Sequence, residues 1–317
     1  MKFVLLAVFI FVYQFHCLSQ SVIQVNQNTL IPEGIAINPR NGDIYISSIA
    51  KQKIIKIDKK GRASDFIHQT EKNFLEGLGM KVDVKRKILW CLSNKANGKW
   101  FTSQIHGFDL ALGKAKFHHS FKDTIPHLLN DLVIDEDGNL LITDTYFSSI
   151  YKFFPASEKL EILIKGPQIK YPNGLAFGKH KQLFVATYGT GLLQIDLQTK
   201  SIKKLEGFTD SLIAYGLDGL MYKDNYLYGV YNAGKARESD AVIRYQLDQK
   251  EQRIESEKLL DRGNKNFVDP TTAAIHKNKL YVIANSHLDQ FNKNKESVSG
   301  IEDALLPLKL LVYDLKN

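Results

Sequence analysis

The chain is predicted to fold as an all-β, six-bladed β-propeller, and three observations lead there. Four short motifs, Pro32-Glu33-Gly34, Leu129-Asn130-Asp131, Pro172-Asn173-Gly174 and Leu217-Asp218-Gly219, each set an oxygen-bearing side chain just before a short apolar strand. Neighbouring motifs lie roughly forty to fifty residues apart, with one double step between Glu33 and Asn130, which is the period of a four-stranded blade. Continuous helical periodicity is nearly absent, and alternating strands rich in Ile, Val, Leu and Tyr recur instead.

Each blade opens with a polar residue and an apolar strand, turns, and continues with a second strand. These pairs are GIAINPRNGDIYISSI from Gly34, EGLGMKVDVKRKILWCLSN from Glu76 as a looser copy, and DLVIDEDGNLLITDTY from Asp131. They continue with GLAFGKHKQLFVATYG from Gly174, GLMYKDNYLYGVYN from Gly219 and TAAIHKNKLYVIANS from Thr272. Asn41-Gly42 and Asp137-Gly138 are hairpin signals, because these residues tolerate positive φ. A third strand follows in most units, from KIIKIDKKG at Lys53 to LKLLVYDLK at Leu308, and an outer strand closes several. Six such units make a propeller a better reading than two β-sandwiches. The segment VIQVNQNT before the first motif has no partner in its own unit, so Val22 to Val25 is expected beside Leu310 to Tyr313, closing the ring.

The first residues, MKFVLLAVFIFVYQFHCLS, read as a secretory signal peptide cut after Ser19, leaving residues 20–317 as one propeller domain. Its apolar core from Phe3 to Tyr13 is about eleven residues, against roughly twenty needed to span a bilayer. No stable membrane anchor is expected after cleavage, and the protein is expected to be secreted or periplasmic. Removal of Cys17 would leave Cys91 alone, without an internal disulfide, and no Asn-x-Ser/Thr glycosylation acceptor is present. The formal net charge of +8 comes from lysines scattered through turns, such as Lys59-Lys60 and Lys179-His180-Lys181, without interleaved aromatics. That pattern argues against a nucleic-acid partner. A small-molecule substrate and a monomer are expected.

Equivalent positions in successive blades converge on one axis, so Glu33, Asn130, Asn173 and Asp218 are candidate ligands of a central metal. Two amides and two carboxylates offer hard oxygens whose charge balances a divalent ion such as Ca2+, although another divalent cation would also fit. Two further blade-start residues, Glu76 and Thr271, are assigned to the funnel wall. His127 and His287 are candidate acid/base groups near neutral pH. His118-His119 and Cys91 read as structural. Loops Lys95 to Thr102, Asn232 to Asp240 and His287 to Leu306, with Trp100, Tyr231, Arg237, Phe291 and Asn285, are expected to form the rim.

The four motifs in order, each opening a blade, resemble the senescence marker protein/gluconolactonase (regucalcin-like) family of the calcium-dependent phosphotriesterase superfamily, which includes paraoxonases and diisopropyl fluorophosphatase. The resemblance spans essentially all of residues 20–317. It implies a divalent cation, usually calcium, held by Glu33, Asn130, Asn173 and Asp218, in enzymes that hydrolyse lactones or organophosphate esters. By the same resemblance, Asp218 matches an aspartate that acts as nucleophile or as base for water. The cation would polarise the carbonyl where negative charge develops. The expected activity is therefore a secreted metal-dependent lactone or ester hydrolase. Its rival is a noncatalytic propeller that binds a partner or sugar and keeps calcium for structure. A strictosidine-synthase-like enzyme is disfavoured by the presence of all four oxygen residues.

Overall fold

The computed structural model describes residues 20–67, 73–207, 215–234 and 236–316. The expected signal peptide lies outside them. Six four-stranded antiparallel sheets stand in a ring, each formed by consecutive strands except the last. The N-terminal strand β1 (Gln20–Val25) leads into blade 1, β2 (Pro32–Ile37), β3 (Ile44–Ser48), β4 (Lys53–Ile57) and β5 (Ala63–Ile67). Blade 2 is β6 (Glu76–Asp83), β7 (Ile88–Asn97), β8 (Trp100–Asp109) and β9 (Ala115–Asp123). Blade 3 is β10 (Leu129–Ile134), β11 (Leu140–Asp144), β12 (Ser149–Phe154) and β13 (Lys159–Lys165). Blade 4 is β14 (Pro172–Phe177), β15 (Leu183–Thr187), β16 (Gly191–Ile195) and β17 (Ile202–Lys204). Blade 5 is β18 (Leu217–Lys223), β19 (Tyr226–Tyr231), β20 (Ala241–Leu247) and β21 (Ile254–Arg262). Blade 6 has β22 (Ala273–His276), β23 (Lys279–Ile283) and β24 (Leu308–Asp314), and β1 supplies its outer strand.

The closure pairs the expected strands, with Val22 to Val25 beside Leu308 to Leu311, two residues from the expected register. β1 runs antiparallel to β24, with Val22 opposite Leu311, Ile23 opposite Leu310 and Val25 opposite Leu308. The predicted Asn-Gly and Asp-Gly turns also form, with Gly42 at φ 79° and Gly138 at φ 90°. One expectation fails at Lys95 to Thr102, which is no loop. The β7–β8 ladder continues outward until Asn97 pairs with Trp100, and only Gly98 and Lys99 turn.

Hydrophobic packing lies between blades, and six apolar clusters each join two neighbours, while a seventh packs Phe291 and Leu305 onto Ile31, Ile49 and Leu78. Trp90 and Leu92 of blade 2 meet Leu132, Ile142 and Phe153 of blade 3, and Ile35 and Ile46 of blade 1 meet Ile283 and Leu310 of blade 6. The innermost strands touch one another around the axis. In five of the six blades, the pairing of the innermost strand shifts register near its start, between Pro32 and Ile35, Gly77 and Met80, Leu129 and Leu132, Pro172 and Leu175, and Leu217 and Leu220. Such a bulge takes two residues off the ladder and re-aims their side chains.

Hydroxyls and amides from second strands satisfy the backbone groups released by the bulges. Ser47 Oγ accepts from the Gly34 N–H at 2.8 Å and donates to Leu78 O of the next blade at 2.7 Å. Thr143 Oγ1 donates to Asn173 O at 2.8 Å, and Asn94 Nδ2 donates to Leu129 O at 2.9 Å. The approach is close enough to demand glycine. A Cβ on Gly34 would stand 2.0 Å from Leu78 O, and one on Gly174 would stand 2.5 Å from Asp218 O.

Candidate functional site

Five bulges, and in blade 6 the segment just before β22, deliver one side chain per blade to the axial ring, and the inter-blade contacts identify them. Gly34 abuts Leu78 O, Gly79 abuts Asn130 O and Gly174 abuts Asp218 O. Thr143 ties Asp131 to Asn173 O, and the Gly219 N–H donates to Thr271 O at 3.1 Å. The six equivalent positions are therefore Glu33, Leu78, Asn130, Asn173, Asp218 and Thr271. The blade-2 position is Leu78, and this corrects the assignment of Glu76 to it. Glu76-Gly77 imitates Glu33-Gly34 in the text, but the register shift places Leu78-Gly79 at the ring.

Glu33, Asn130, Asn173 and Asp218 all line the floor of one cavity of about 620 Å³, and each is more than nine-tenths buried. Beneath them lies a chamber of about 10 Å³, bordered also by Asp131 and Lys81 and large enough for about one water molecule. Lys81 Nζ stands 3.9 Å from Asp131 Oδ1. The opposite mouth of the axis is a separate apolar hollow of about 400 Å³, reached by Val133, Leu175, Met221 and Ile275.

Hydrogen bonds orient the four floor residues. Asn130 Nδ2 donates to Thr145 Oγ1 at 3.0 Å, which leaves the amide oxygen of Asn130 available. Asn232 Nδ2 donates to Asp218 Oδ2 at 2.6 Å, and the Asn232 Oδ1 accepts from Tyr188 OH at 2.8 Å. Asn173 and Tyr188 also hydrogen-bond to the Asp218 carboxylate. Glu33 Oε2 is buried without a hydrogen-bond partner among the described residues.

Electrostatics show what the floor lacks. Burial, followed by the charge of Asp218, holds the Glu33 carboxyl well above the ordinary carboxylate range. Burial likewise lifts Asp218 to about 7, against the opposing hydrogen bonds from Asn232, Asn173 and Tyr188. Two carboxylates in one dry site resist ionising together unless a cation stands between them. An orphaned acceptor, two such carboxylates and two oriented amide oxygens make a donor set that fits a hard divalent ion. No group of three or more His, Cys, Asp or Glu able to hold a metal occurs among the described residues, so any ion here depends on the two asparagines.

The remaining sequence candidates divide. Glu76 lines the cavity wall, ion-paired with Lys95, while burial raises its carboxyl above its usual value. Thr271 is fully buried behind the floor, where its Oγ1 donates to Glu33 O at 3.4 Å, and it does not line the cavity. Of the rim candidates, Arg237 and Phe291 line the cavity, whereas Trp100, Tyr231 and Asn285 do not. Asn285 instead braces blade 6 by accepting from the Lys309 N–H at 2.7 Å.

Neither candidate histidine reaches the cavity lining. His287 is buried at φ 59° just before the short helix α1 (Leu288–Lys293), and its Nε2 accepts from the Leu306 N–H at 3.1 Å. Burial lowers its pKa, so it stays neutral and pins the loop. His127 is clasped by Asp144 at 2.5 Å and Asp123 at 3.2 Å, with its ring centroid 4.6 Å from that of Phe147. Burial pulls its pKa down, but the two carboxylates outweigh burial and raise it. A raised folded value stabilises fully below the unfolded pKa near 6.5, and that stabilisation is lost as pH rises through the folded value. The stability advantage of the wild type over His127→Gln should accordingly shrink as pH rises above the unfolded value of about 6.5, as read from urea melts. A difference that does not vary with pH would remove the charge-clasp account.

Sequence reasoning missed Thr145 and Tyr188 and gave Asn232 only as the first residue of a rim loop; all three line the cavity. Each immediately follows the second strand of its blade, after Asp144, Thr187 and Tyr231. That phase, one residue past each second strand, was the signal available. Asp240 and Asp269, from loops, and Asp289, from α1, also line the wall but follow no repeat.

The sequence matches no protein-family model and no curated protein. Among solved structures, a luciferin-regenerating enzyme is similar at 14% identity, covering 94% of this chain and 96% of that one with a TM-score of 0.62. A gluconolactonase from Xanthomonas campestris is similar at 15% identity, covering 93% and 89% with a TM-score of 0.61. A virginiamycin B lyase from Staphylococcus aureus is similar at 8% identity, covering 92% and 98% with a TM-score of 0.58. At these identities the likeness is one of fold, and the fold serves more than one chemistry.

Proposed function

We propose that the protein is a metal-dependent hydrolase of a lactone or related ester, with calcium, or another hard divalent ion, held by Glu33, Asn130, Asn173 and Asp218. The observation that carries this reading is the convergence of two buried carboxylates and two amides on one cavity floor, with Glu33 Oε2 lacking a partner. Gluconolactonases among the structures of like fold support the choice of reaction. When bound, the ion would supply Lewis-acid polarisation of the substrate carbonyl.

The chain's own residues do the rest. Asn232 and Tyr188 fix the Asp218 carboxylate, leaving it set to accept a proton from a water molecule at the floor. In the metal-free site burial lifts this carboxyl to about 7, and a bound cation would favour its ionised form, the form that accepts a proton. Asn130 and Asn173 present neutral oxygens, which hold charge at the floor without adding to the repulsion between Glu33 and Asp218. The buried floor keeps bulk water away from the reacting centre. Secretion or periplasmic location and a monomeric state belong to the same proposal.

Native mass spectrometry with and without chelator, beside hydrolysis of a neutral γ-lactone, tests the reading. One divalent ion per chain and chelator-sensitive turnover are expected. Intact ion binding without turnover would favour the noncatalytic propeller, and absence of ion binding would remove the proposal.

The same site predicts a pH signature. Carboxyls whose folded pKa is raised disfavour the folded, ionised state, so the metal-free protein loses stability from about pH 4 up to the folded values. Calcium binding requires both groups ionised and reverses that loss. Calcium at about one hundred times its Kd should add about 2.7 kcal/mol, or about 5 °C in Tm for a chain of this size. The shift should be smaller at pH 5 than at pH 8 and vanish in chelator. An equal shift at both values would contradict the raised carboxyls.

A further inference from the structure

The wall above the floor has a composition that the proposed hydrolysis does not require. Five carboxylates line it, those of Glu76, Asp240, Asp269, Asp289 and Glu296, in a chain whose formal charge is +8. Two are matched locally, Glu76 by Lys95 and Asp289 by Lys293 at 3.0 Å. That leaves Asp240, Asp269 and Glu296 against Arg237, the one cationic side chain lining the cavity among the described residues. Arg237 is solvent-exposed, so its field is screened, whereas Asp240 is only 4% exposed.

Asp240 is the decisive group. Its carboxylate makes no hydrogen bond and no ion pair among the described residues, although its backbone is tied down by an N–H donated to Arg237 O at 3.1 Å and a carbonyl accepting from Gly263. A buried carboxylate normally has a charged or hydrogen-bonding partner, because desolvation is otherwise uncompensated. Burial, then the neighbouring Asp269 charge, lifts its pKa to about 7, and the exposed Arg237 does not bring it back. Tyr146, exposed on the blade 3 side of the same cavity, adds aromatic surface of the kind on which organic cations settle. A divalent ion at the floor would balance Glu33 and Asp218 and leave this excess in place.

We infer that the wall formed by Asp240 and Asp269 is a recognition site for an organic ammonium group, so that the substrate of the cavity is an ester or lactone carrying a positive charge. Calling that ligand a substrate rests on the hydrolase reading above, whereas the ammonium site itself does not. The arrangement gives direction as well as selectivity. An acidic funnel attracts a cation from solution and repels the carboxylate that hydrolysis releases.

The test uses a matched pair that differs in charge and hardly in shape, choline and its neutral carbon isostere 3,3-dimethylbutanol, titrated calorimetrically into the full-length protein at saturating calcium. Choline is expected to bind at least about tenfold more tightly than the isostere, with the preference falling several-fold between about 20 and 200 mM salt. Asp240→Asn should bring the two affinities to within about twofold of each other. Arg237→Gln removes the competing cation and should strengthen choline binding, a gain that misfolding cannot produce. Equal binding of the pair by the wild type, no binding of either, or a choline preference unchanged in Asp240→Asn would overturn the inference. Turnover of a neutral γ-lactone by the same preparation reports separately on the hydrolase reading. Turnover without choline preference sinks only the ammonium site, and choline preference without turnover of any ester sinks only the reaction.

Discussion

Asp218→Ala is expected to lower kcat/KM for a neutral lactone by about 10²- to 10⁴-fold, the range for loss of a positioned base. The same change removes one of two carboxylates from the cavity floor, so the calcium-dependent rise in Tm should disappear with the activity. Loss of activity alone would not distinguish chemistry from folding, and Asp218→Asn supplies the distinction. That variant keeps the volume of the side chain and ends its repulsion with Glu33, whose raised pKa records that repulsion together with burial. Metal-free Asp218→Asn should therefore be more stable than metal-free wild type, by about 1 kcal/mol near neutral pH, while failing to respond to calcium. A variant more stable yet inactive is the expected mark of a site that stores electrostatic strain for function. Asp218→Ala activity within about tenfold of wild type would exclude this carboxylate as the base.

The second large effect concerns ring closure. Deleting residues 20–25 removes β1, whose Val25 is buried among Ile283, Leu308 and Leu310 and whose Ile23 packs against the same cluster. Two apolar side chains at about 1.5–3 kcal/mol each, with ladder hydrogen bonds at about 1 kcal/mol apiece, place the loss at about 5 kcal/mol or more. Whole domains are commonly stable by about 5–15 kcal/mol, so the truncated chain should sit near its unfolding threshold at room temperature. It should also expose the edge of β24 and self-associate, which light scattering would register beside a urea melt. A truncated protein within about 1 kcal/mol of full length would show that the last blade holds without its borrowed strand.

The ring was legible because the chain repeats the same local device. Glu33, Asn130, Asn173 and Asp218 each begin a strand next to a glycine or aspartate, and the bulge that turns them to the axis falls at the same phase each time. Blade 2 misled for a physical reason. Its Glu76-Gly77 lies one period-two step before the bulge, so a residue that looks equivalent in sequence stands higher on the wall, beside Lys95. The histidines misled because sequence position cannot report packing. His127 lies three residues before Asn130, yet Asp144 and Phe147 draw it into the gap between blades 2 and 3. Asp240 and Asp269 stand on loops that obey no repeat, and only the fold gathers them.

The bulges also bear on how such a protein changes over time. Because the ring residues are held off the ladders while Ser47, Thr143 and Asn94 close the backbone behind them, their identity is uncoupled from the bonds that hold the blades. Six sockets face the axis, and Leu78 and Thr271 already show that a hydrocarbon or a hydroxyl can occupy one without disturbing the architecture. New chemistry at the centre is thus reachable by single exchanges at these sockets, with the scaffold left untouched.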